Sequence, residues 1–477
     1  VTIKNKVIYS LKWVVIGKVF IQLIRWGVTF WTVRMLTPED YGLVGLSDFF
    51  LSFLWMFAVS GSGAAIIQSQ TNSKESLRGF FTAILIMNSI FCLLLLASSG
   101  FIASIYQKPE IESIINISAF AFLIVTFQII PSALISQSMD FKKSTFVEVG
   151  SQFLSSISIL YMAYSGFGFW SLVYGELILL TISAIAFNII SPIKVMPGLS
   201  FKEAKKLVVF GSKVSISSII SHFNHKVDIA IAGLILTATE LGQYQIALII
   251  AAIPLQKIIP SLKRVAFPAF AKIQDDKKSA IYYLLKSQKI GAYIVFPIFL
   301  GISISAELFV PVILGENWLQ SIVPIMIVSL VMPFRFCREM FSPLINGLGN
   351  PGLLLNCSII SLIVTVFGVY VGMQFGVIGI SYAILFIGIL IFFISTTLYC
   401  RYIELPYQIY LFTFRRPLIH SAIMLLTVSI TKQVSSQYSD SYTQLFFCLF
   451  AGLLSYLTTI FIFDKNIIIE IKTLLKK

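Results

Sequence analysis

The chain has 477 residues, of which 57% are hydrophobic and only 12% charged, and its net charge is +14. A water-soluble domain carries about 45–50% apolar and about 25% charged residues, so this chain has too little charge to solvate a surface of its size. That excludes an ordinary soluble enzyme, and it turns the positive excess into a question of where the charges lie rather than of nucleic-acid binding.

The N-terminal stretch VTIKNKVIYSLKW is basic and leads into an apolar run that continues to Arg34. The run is too long for a signal peptide, and no small-residue cleavage site follows, so we read it as the first membrane span. A span needs roughly 20 apolar residues. By that measure, spans are predicted near 9–34, 41–67, 79–105, 113–137, 146–165 and 169–190. The polar stretch SPIKVMPGLSFKEAKK follows at 191–206. Six more spans come near 207–235, 241–270, 284–306, 319–348, 353–373 and 377–400, and after a basic linker two last ones near 417–433 and 442–463. The reading is an all-α integral membrane protein of about 14 transmembrane helices. It has a six-helix lobe over 1–200, a pseudo-equivalent six-helix lobe over 201–400, and two extra helices with a basic tail over 401–477.

Charge placement supports this count. With the N-terminus cytoplasmic, only Lys108 and Lys432 fall in outer segments, while the inner ones take clusters such as Lys142/Lys143, Lys205/Lys206, Lys277/Lys278, Arg415/Arg416 and Lys476/Lys477. Basic residues favour the cytoplasmic side, and one span more or fewer would scramble the alternation. Both termini are therefore expected inside. The five cysteines (Cys92, Cys337, Cys357, Cys400, Cys448) all sit in apolar runs without metal-ligand spacing and read as small buried side chains. No metal site and no cofactor are expected.

An internal repeat is visible. LTPEDYG at 36–42 matches LTATELG at 236–242, and GFWSLVYG at 168–175 matches GVIGISYA at 376–383. Pro131 and Pro343 hold similar places in the fourth span of each half. Parallel repeats of this kind place a substrate site near the bilayer midplane at the lobe interface. In the first span Lys18, Gln22, Arg25, Thr29 and Thr32 recur on one helical face, and in the seventh Ser218, Ser221, His222, His225 and Asp228 trace a similar stripe. Lys257, Ser261 and Arg264 form a row on the eighth span, and Arg335 and Arg338 lie in the tenth beside Glu339. Intramembrane charge is expensive and should face the interior. A cationic, water-filled interior attracts anions, and phosphate suits Lys and Arg donors best.

The expected substrate-binding set is Lys18, Arg25, His222, His225, Lys257, Arg264, Arg335 and Arg338. His222, His225 and Asp228 are candidates for carrying a proton or cation, because histidine titrates near neutral pH. Blander readings stand beside these. Lys18 and Arg25 could snorkel or pair with Asp48, the histidines could only bond neighbouring helices, Lys226 and Asp228 could neutralise each other or neighbours, and Arg335 with Glu339 could be a simple i, i+4 pair.

The segments RMLTPEDYGLVGL, AAIIQS at 64–69, GFGFWSLVYGEL at 166–177, VDIAIAGLILTATELGQYQIA at 227–247 and LINGLGNPGLL at 344–354 resemble the bacterial polysaccharide-transport flippases. These belong to the multidrug/oligosaccharidyl-lipid/polysaccharide exporter superfamily, and the likeness is strongest to the subgroup exporting colanic and teichuronic acids. The resemblance implies two six-helix lobes working by alternating access in the bacterial inner membrane. It implies a polyprenyl-pyrophosphate-linked oligosaccharide as cargo, and a cationic cavity at Lys18, Arg25, Lys257 and Arg264. Membrane lipids, a polysaccharide polymerase and other assembly proteins are the expected partners of a monomer, with no nucleic acid. The driving force would be a proton, a sodium ion or the membrane potential. Two other functions compete. An ion-coupled drug antiporter would want an acidic or neutral cavity, and a membrane glycosyltransferase or polymerase would want catalytic carboxylates on a long outer loop.

Overall fold

A computed structural model describes residues 3–68, 73–138, 141–191, 193–200, 204–205, 207–209, 226–273, 276–436, 440–465 and 467, and among these it is helical with no strand. It divides into two compact units, Val1–Gly242 and Gln243–Lys477. In the first unit lie α1 (Ile3–Met35), α2 (Pro38–Trp55), α3 (Gly61–Gln68), α4 (Lys74–Tyr106), α5 (Glu110–Gln137), α6 (Phe141–Tyr164), α7 (Trp170–Ile190) and the first residues of α8 (Ala238–Lys272). After the rest of α8, the second holds α9 (Lys277–Phe309), α10 (Ile322–Glu339), α11 (Ser342–Gly347), α12 (Pro351–Gly372), α13 (Gly376–Tyr402), α14 (Tyr407–Phe412), α15 (Arg415–Ser435) and α16 (Ser441–Phe463).

Eleven stretches among the described residues are long and apolar enough to cross a bilayer. One of them, Pro351–Tyr402, is two helices, α12 and α13, broken at Met373–Phe375. With α1 the described residues hold thirteen such helices, and the seventh expected span, near 207–235, lies mostly outside the described residues. The second span is α2 and α3 joined by a π-helical turn at Met56–Ser60. Pro343 sits in the first turn of α11, where its missing N–H is harmless, whereas Pro131 lies inside α5. The two prolines thus share a place in the sequence but not in helix geometry.

Packing explains why the apolar residues divide as they do. In the first unit Phe80, Ile84, Val125, Ile129 and Ile130 close a core where α3, α4, α5 and α7 meet. In the second, Tyr293, Met424, Val428, Cys448 and Tyr456 fasten α15 and α16 to α9. All five cysteines are free and buried. The outer faces stay apolar: Leu93, Phe101, Phe367 and Leu426 are each at least 65% exposed. A soluble protein could not show such bands to water, so the chain is a multi-pass membrane protein.

The repeat is built into the helix ends. Thr37 caps α2 with a reciprocal box: its N–H and Oγ1–H donate to Asp40 Oδ2 at 2.8 Å each, and the Asp40 N–H donates back to Thr37 Oγ1 at 3.3 Å. Thr237 and Glu240 repeat the box at the start of α8, at 2.9, 2.9 and 3.2 Å. Such boxes satisfy the free N–H groups of a first turn. Asp40 does more than its counterpart, since its Oδ1 accepts the Phe169 N–H at 2.8 Å and ties the start of α7 to α2. Gly168 precedes α7 and Gly376 opens α13, with φ of +54° and +68°, a conformation that strains any side chain.

The two caps also touch. A Cβ on Gly42 would lie 1.9 Å from the Ala238 carbonyl oxygen, and one on Gly242 would lie 1.6 Å from the Pro38 carbonyl oxygen. Beside them Lys108 Nζ donates to the carbonyls of Gly233 and Leu236 at 3.2 and 3.0 Å, and Tyr106 OH donates to Ala230 O at 3.1 Å. A cation at the C-terminal end of helix 226–232 meets its bare carbonyls and its dipole. Burial lowers the Lys108 ammonium from its ordinary value, against the pull of Glu110 and Glu240.

The glycine contact predicts a contrast. Gly42→Val or Gly242→Val should destabilise the protein by about 1–3 kcal/mol, because a backbone carbonyl cannot move aside. Gly27→Ala, where a Cβ meets nothing within 4 Å, should be neutral or stabilising. Thermal unfolding in detergent checks the contrast, and equal midpoints for all three would refute it.

Candidate functional site

Among the described residues each unit brings charged side chains of several helices together. In the first, Arg25 Nε on α1 donates to Gln152 Oε1 on α6 at 2.8 Å. Lys226 pairs with Asp48 of α2 and also reaches Ser52 Oγ at 3.3 Å. Glu176 of α7 lies within electrostatic reach of both Arg25 and Asp48. At a rise of about 1.5 Å per residue, Arg25, Asp48 and Lys226 all lie about 15 Å from the end of this unit marked by the Thr37 and Thr237 caps. That is half of a hydrocarbon layer about 30 Å thick. Asp228, two residues beyond Lys226, is buried at 7% exposure. Two cations and two carboxylates answer each other here, with Gln152 as a neutral partner. The cluster is close to charge balance.

The cluster in the second unit is not balanced. Lys263 of α8 pairs with Glu339 Oε2, and Arg338 lies 3.6 Å from Glu339 Oε1. Arg338 also approaches Ser361 Oγ of α12 at 3.4 Å. The charge of Arg335, one turn earlier on α10, acts on Glu339 as well. Among the described residues three cations act on this one carboxylate. Their side chains are not sealed away: Lys263, Arg338 and Glu339 are 30%, 23% and 23% exposed. Such an excess persists in a low-dielectric setting only with water or an anion near it.

These positions sort the expected set. Arg25, Arg335 and Arg338 fall in the two clusters, with Arg25 bonded to Gln152 of α6 and Arg338 approaching Ser361 of α12. Lys18, Lys257 and Arg264 stand on α1 and α8, but their side chains lie outside the described residues, as do His222 and His225 entirely. Among the described residues Asp48 pairs with Lys226, while Arg25 bonds Gln152. Among the described residues no group of three or more His, Cys, Asp or Glu could hold a metal.

Two partners escaped the sequence reading. Gln152 belongs to a buried stripe with Ser151, Ser155 and Ser156 on α6, none more than 7% exposed. That helical spacing was legible as a polar face opposite α1. Lys263 stands next to Arg264, and its role could be seen only by knowing that α8 meets the end of α10.

The sequence and the fold agree with known proteins. The model of the family described as "Polysaccharide biosynthesis protein" matches residues 32–323. The chain belongs to that family. It is 26% identical to the lipopolysaccharide biosynthesis protein WzxC of Escherichia coli, over 73% of this chain and 69% of that one. It is 24% identical to the teichuronic acid biosynthesis protein TuaB of Bacillus subtilis, over 69% of each. Among solved structures, the lipid II flippase MurJ in an inward closed conformation has the same fold, with a TM-score of 0.76 over 95% of this chain and 99% of that one at 15% identity.

The Asp48–Lys226 pair can be tested by exchange. Asp48→Asn or Lys226→Met alone should destabilise the protein by about 1–2 kcal/mol, below the buried-pair range because both groups are part-exposed. The swap Asp48→Lys with Lys226→Asp should recover most of that loss. Thermal unfolding of the four proteins reads it out, and strict additivity of the two single changes would show that the pair contributes nothing.

Proposed function

We propose that this protein is a flippase that moves a polyprenyl-pyrophosphate-linked oligosaccharide repeat unit across the bacterial inner membrane for surface polysaccharide synthesis. One observation carries the reading: Lys263 and Arg338 share a single carboxylate, Glu339, where two long helices of a polysaccharide biosynthesis protein meet, and the charge of Arg335 acts on it as well. A pyrophosphate is the kind of anion that such a surplus accepts, through charge-assisted hydrogen bonds that replace its water. The names of WzxC and TuaB support glycan assembly as the setting.

In this reading both termini face the cytoplasm, and the chain works as a monomer beside a polymerase and other assembly proteins. The glycan head enters from the cytoplasmic side and meets Arg338 and Lys263, with Arg25, Lys18, Lys257 and Arg264 as further donors. The prenyl chain stays among lipid tails, and alternating access releases the head outside. No bond is made or broken, so the protein is a transporter and not an enzyme. Carrying one charge through a membrane potential of 100 mV is worth about 2.3 kcal/mol, enough to bias direction. His222, His225 and buried Asp228 would carry a coupling proton or sodium ion if the potential alone does not drive the cycle.

Cells lacking the protein should accumulate the lipid-linked repeat unit on the inner leaflet, read by mass spectrometry of extracted lipid. Absence of that intermediate would overturn the flippase reading; altered drug sensitivity in its place would favour antiport. In reconstituted vesicles, Arg338→Gln, Arg25→Ala and Lys257→Ala should each slow transport at least about ten-fold, the equivalent of about 1.4 kcal/mol. Full rate in all three would remove the cation assignment and leave the family intact.

A further inference from the structure

A second cationic site lies in the second unit, away from Glu339. A cavity of about 640 Å³ opens between the early turns of α9 and the α14–α15 corner. Lys286 and Lys289 line it from α9, and Arg415 and Arg416 from the start of α15. Among the described residues no carboxylate lines it.

Three of the four cations are held without being neutralised. Arg415 lies over the Phe412 ring at 5.4 Å, and Lys286 over the Tyr282 ring at 5.7 Å. Cation–π contacts orient a charge and leave it whole. Arg416 is anchored from behind: its Nη1 donates to Asp464 Oδ1 at 2.9 Å, and Asp464 also accepts from the Tyr293 hydroxyl. The Asp464 side chain is 1% exposed, while that of Arg416 is 61% exposed and open to the cavity. Among the described residues no carboxylate pairs with Lys286, Lys289 or Arg415.

The rim supplies the second half of the argument. Ile419, Leu418 and Phe412 are 47%, 50% and 67% exposed beside the cations, and Tyr282 is 58% exposed. Charge, aromatic rings and an apolar wall thus meet near the ends of two membrane helices. A soluble anion would use the charges only. A phosphate ester with acyl or prenyl chains would use both. Basic pockets between membrane helices take anionic headgroups in this way, and the volume suits a headgroup.

We propose that this cavity binds the phosphate ester of a membrane-anchored amphiphile, with Lys286, Lys289 and Arg415 as its charge donors and Arg416 as the fixed wall. The source is either an anionic phospholipid or a polyprenyl phosphate. The site stands apart from the transport reading and does not need it.

The test uses the full chain in phosphatidylcholine nanodiscs, with phosphatidylglycerol, a polyprenyl phosphate or inorganic phosphate added separately. Native mass spectrometry counts the molecules retained. The wild type should retain phosphatidylglycerol, the polyprenyl phosphate or both, and whichever is retained identifies the source. The triple variant Lys286→Gln/Lys289→Gln/Arg415→Gln should retain at least ten-fold less at equal concentration. Lys286→Arg/Lys289→Arg should restore it. Lys277→Gln, whose native charge pairs with Glu404 at 2.7 Å, should change nothing. An unaltered unfolding midpoint of the triple variant in pure phosphatidylcholine confirms that it is folded; if it is not, Lys289→Gln alone replaces it, with at least a three-fold loss expected. Retention unchanged by the variants, or inorganic phosphate bound as tightly as either lipid, overturns the proposal.

Discussion

An ionised side chain about 15 Å below a membrane surface has few ways to survive. It must find an opposite charge, a strong dipole, water or a bound ion. The same need for an answering group orders both units. It draws Lys226 to Asp48 and Arg25 to Gln152, and it gathers Lys263, Arg338 and Glu339 from two helices far apart in the chain. The helices that carry these groups are fixed in rotation by the need to bring them together, while their remaining faces are free to be apolar.

The clusters solve the problem differently. The first balances its charge with its own residues, so it can be structural without any ligand. The second leaves positive charge over, and so its comfort depends on what comes in from outside. The same distinction separates Lys108, fully occupied by backbone carbonyls, from the cations beside Phe412 and Tyr282, which are steered by rings but keep their charge. Counting basic residues does not separate a scaffold from a binding surface. Counting what already answers them does.

Much of the fold was legible because a bilayer writes it in simple terms. Span length, polar punctuation and the side on which lysines collect need only composition and order, and they yield the fourteen expected spans, thirteen of which the described residues hold. The threonine caps were legible as repeated motifs, though not as reciprocal boxes. Pairings across helices were harder. Nothing in the order of residues says that Asp48 meets Lys226 and not Arg25, because that depends on how α2 is rotated beside helix 226–232. Arg335 with Glu339 looked like a pair by spacing alone, yet Lys263 and Arg338 also reach that carboxylate, one of them from another helix. The polar face of α6 around Gln152 could have been read, since its serines recur at helical spacing.

The crossing of Gly42 and Gly242 has an evolutionary consequence. Each glycine leaves room for the other motif's backbone, at Ala238 and Pro38. The two copies of the repeated heptapeptide therefore police each other. Neighbouring positions could drift, proline to alanine and tyrosine to leucine, but a methyl group gained by either glycine would be felt at once by its twin.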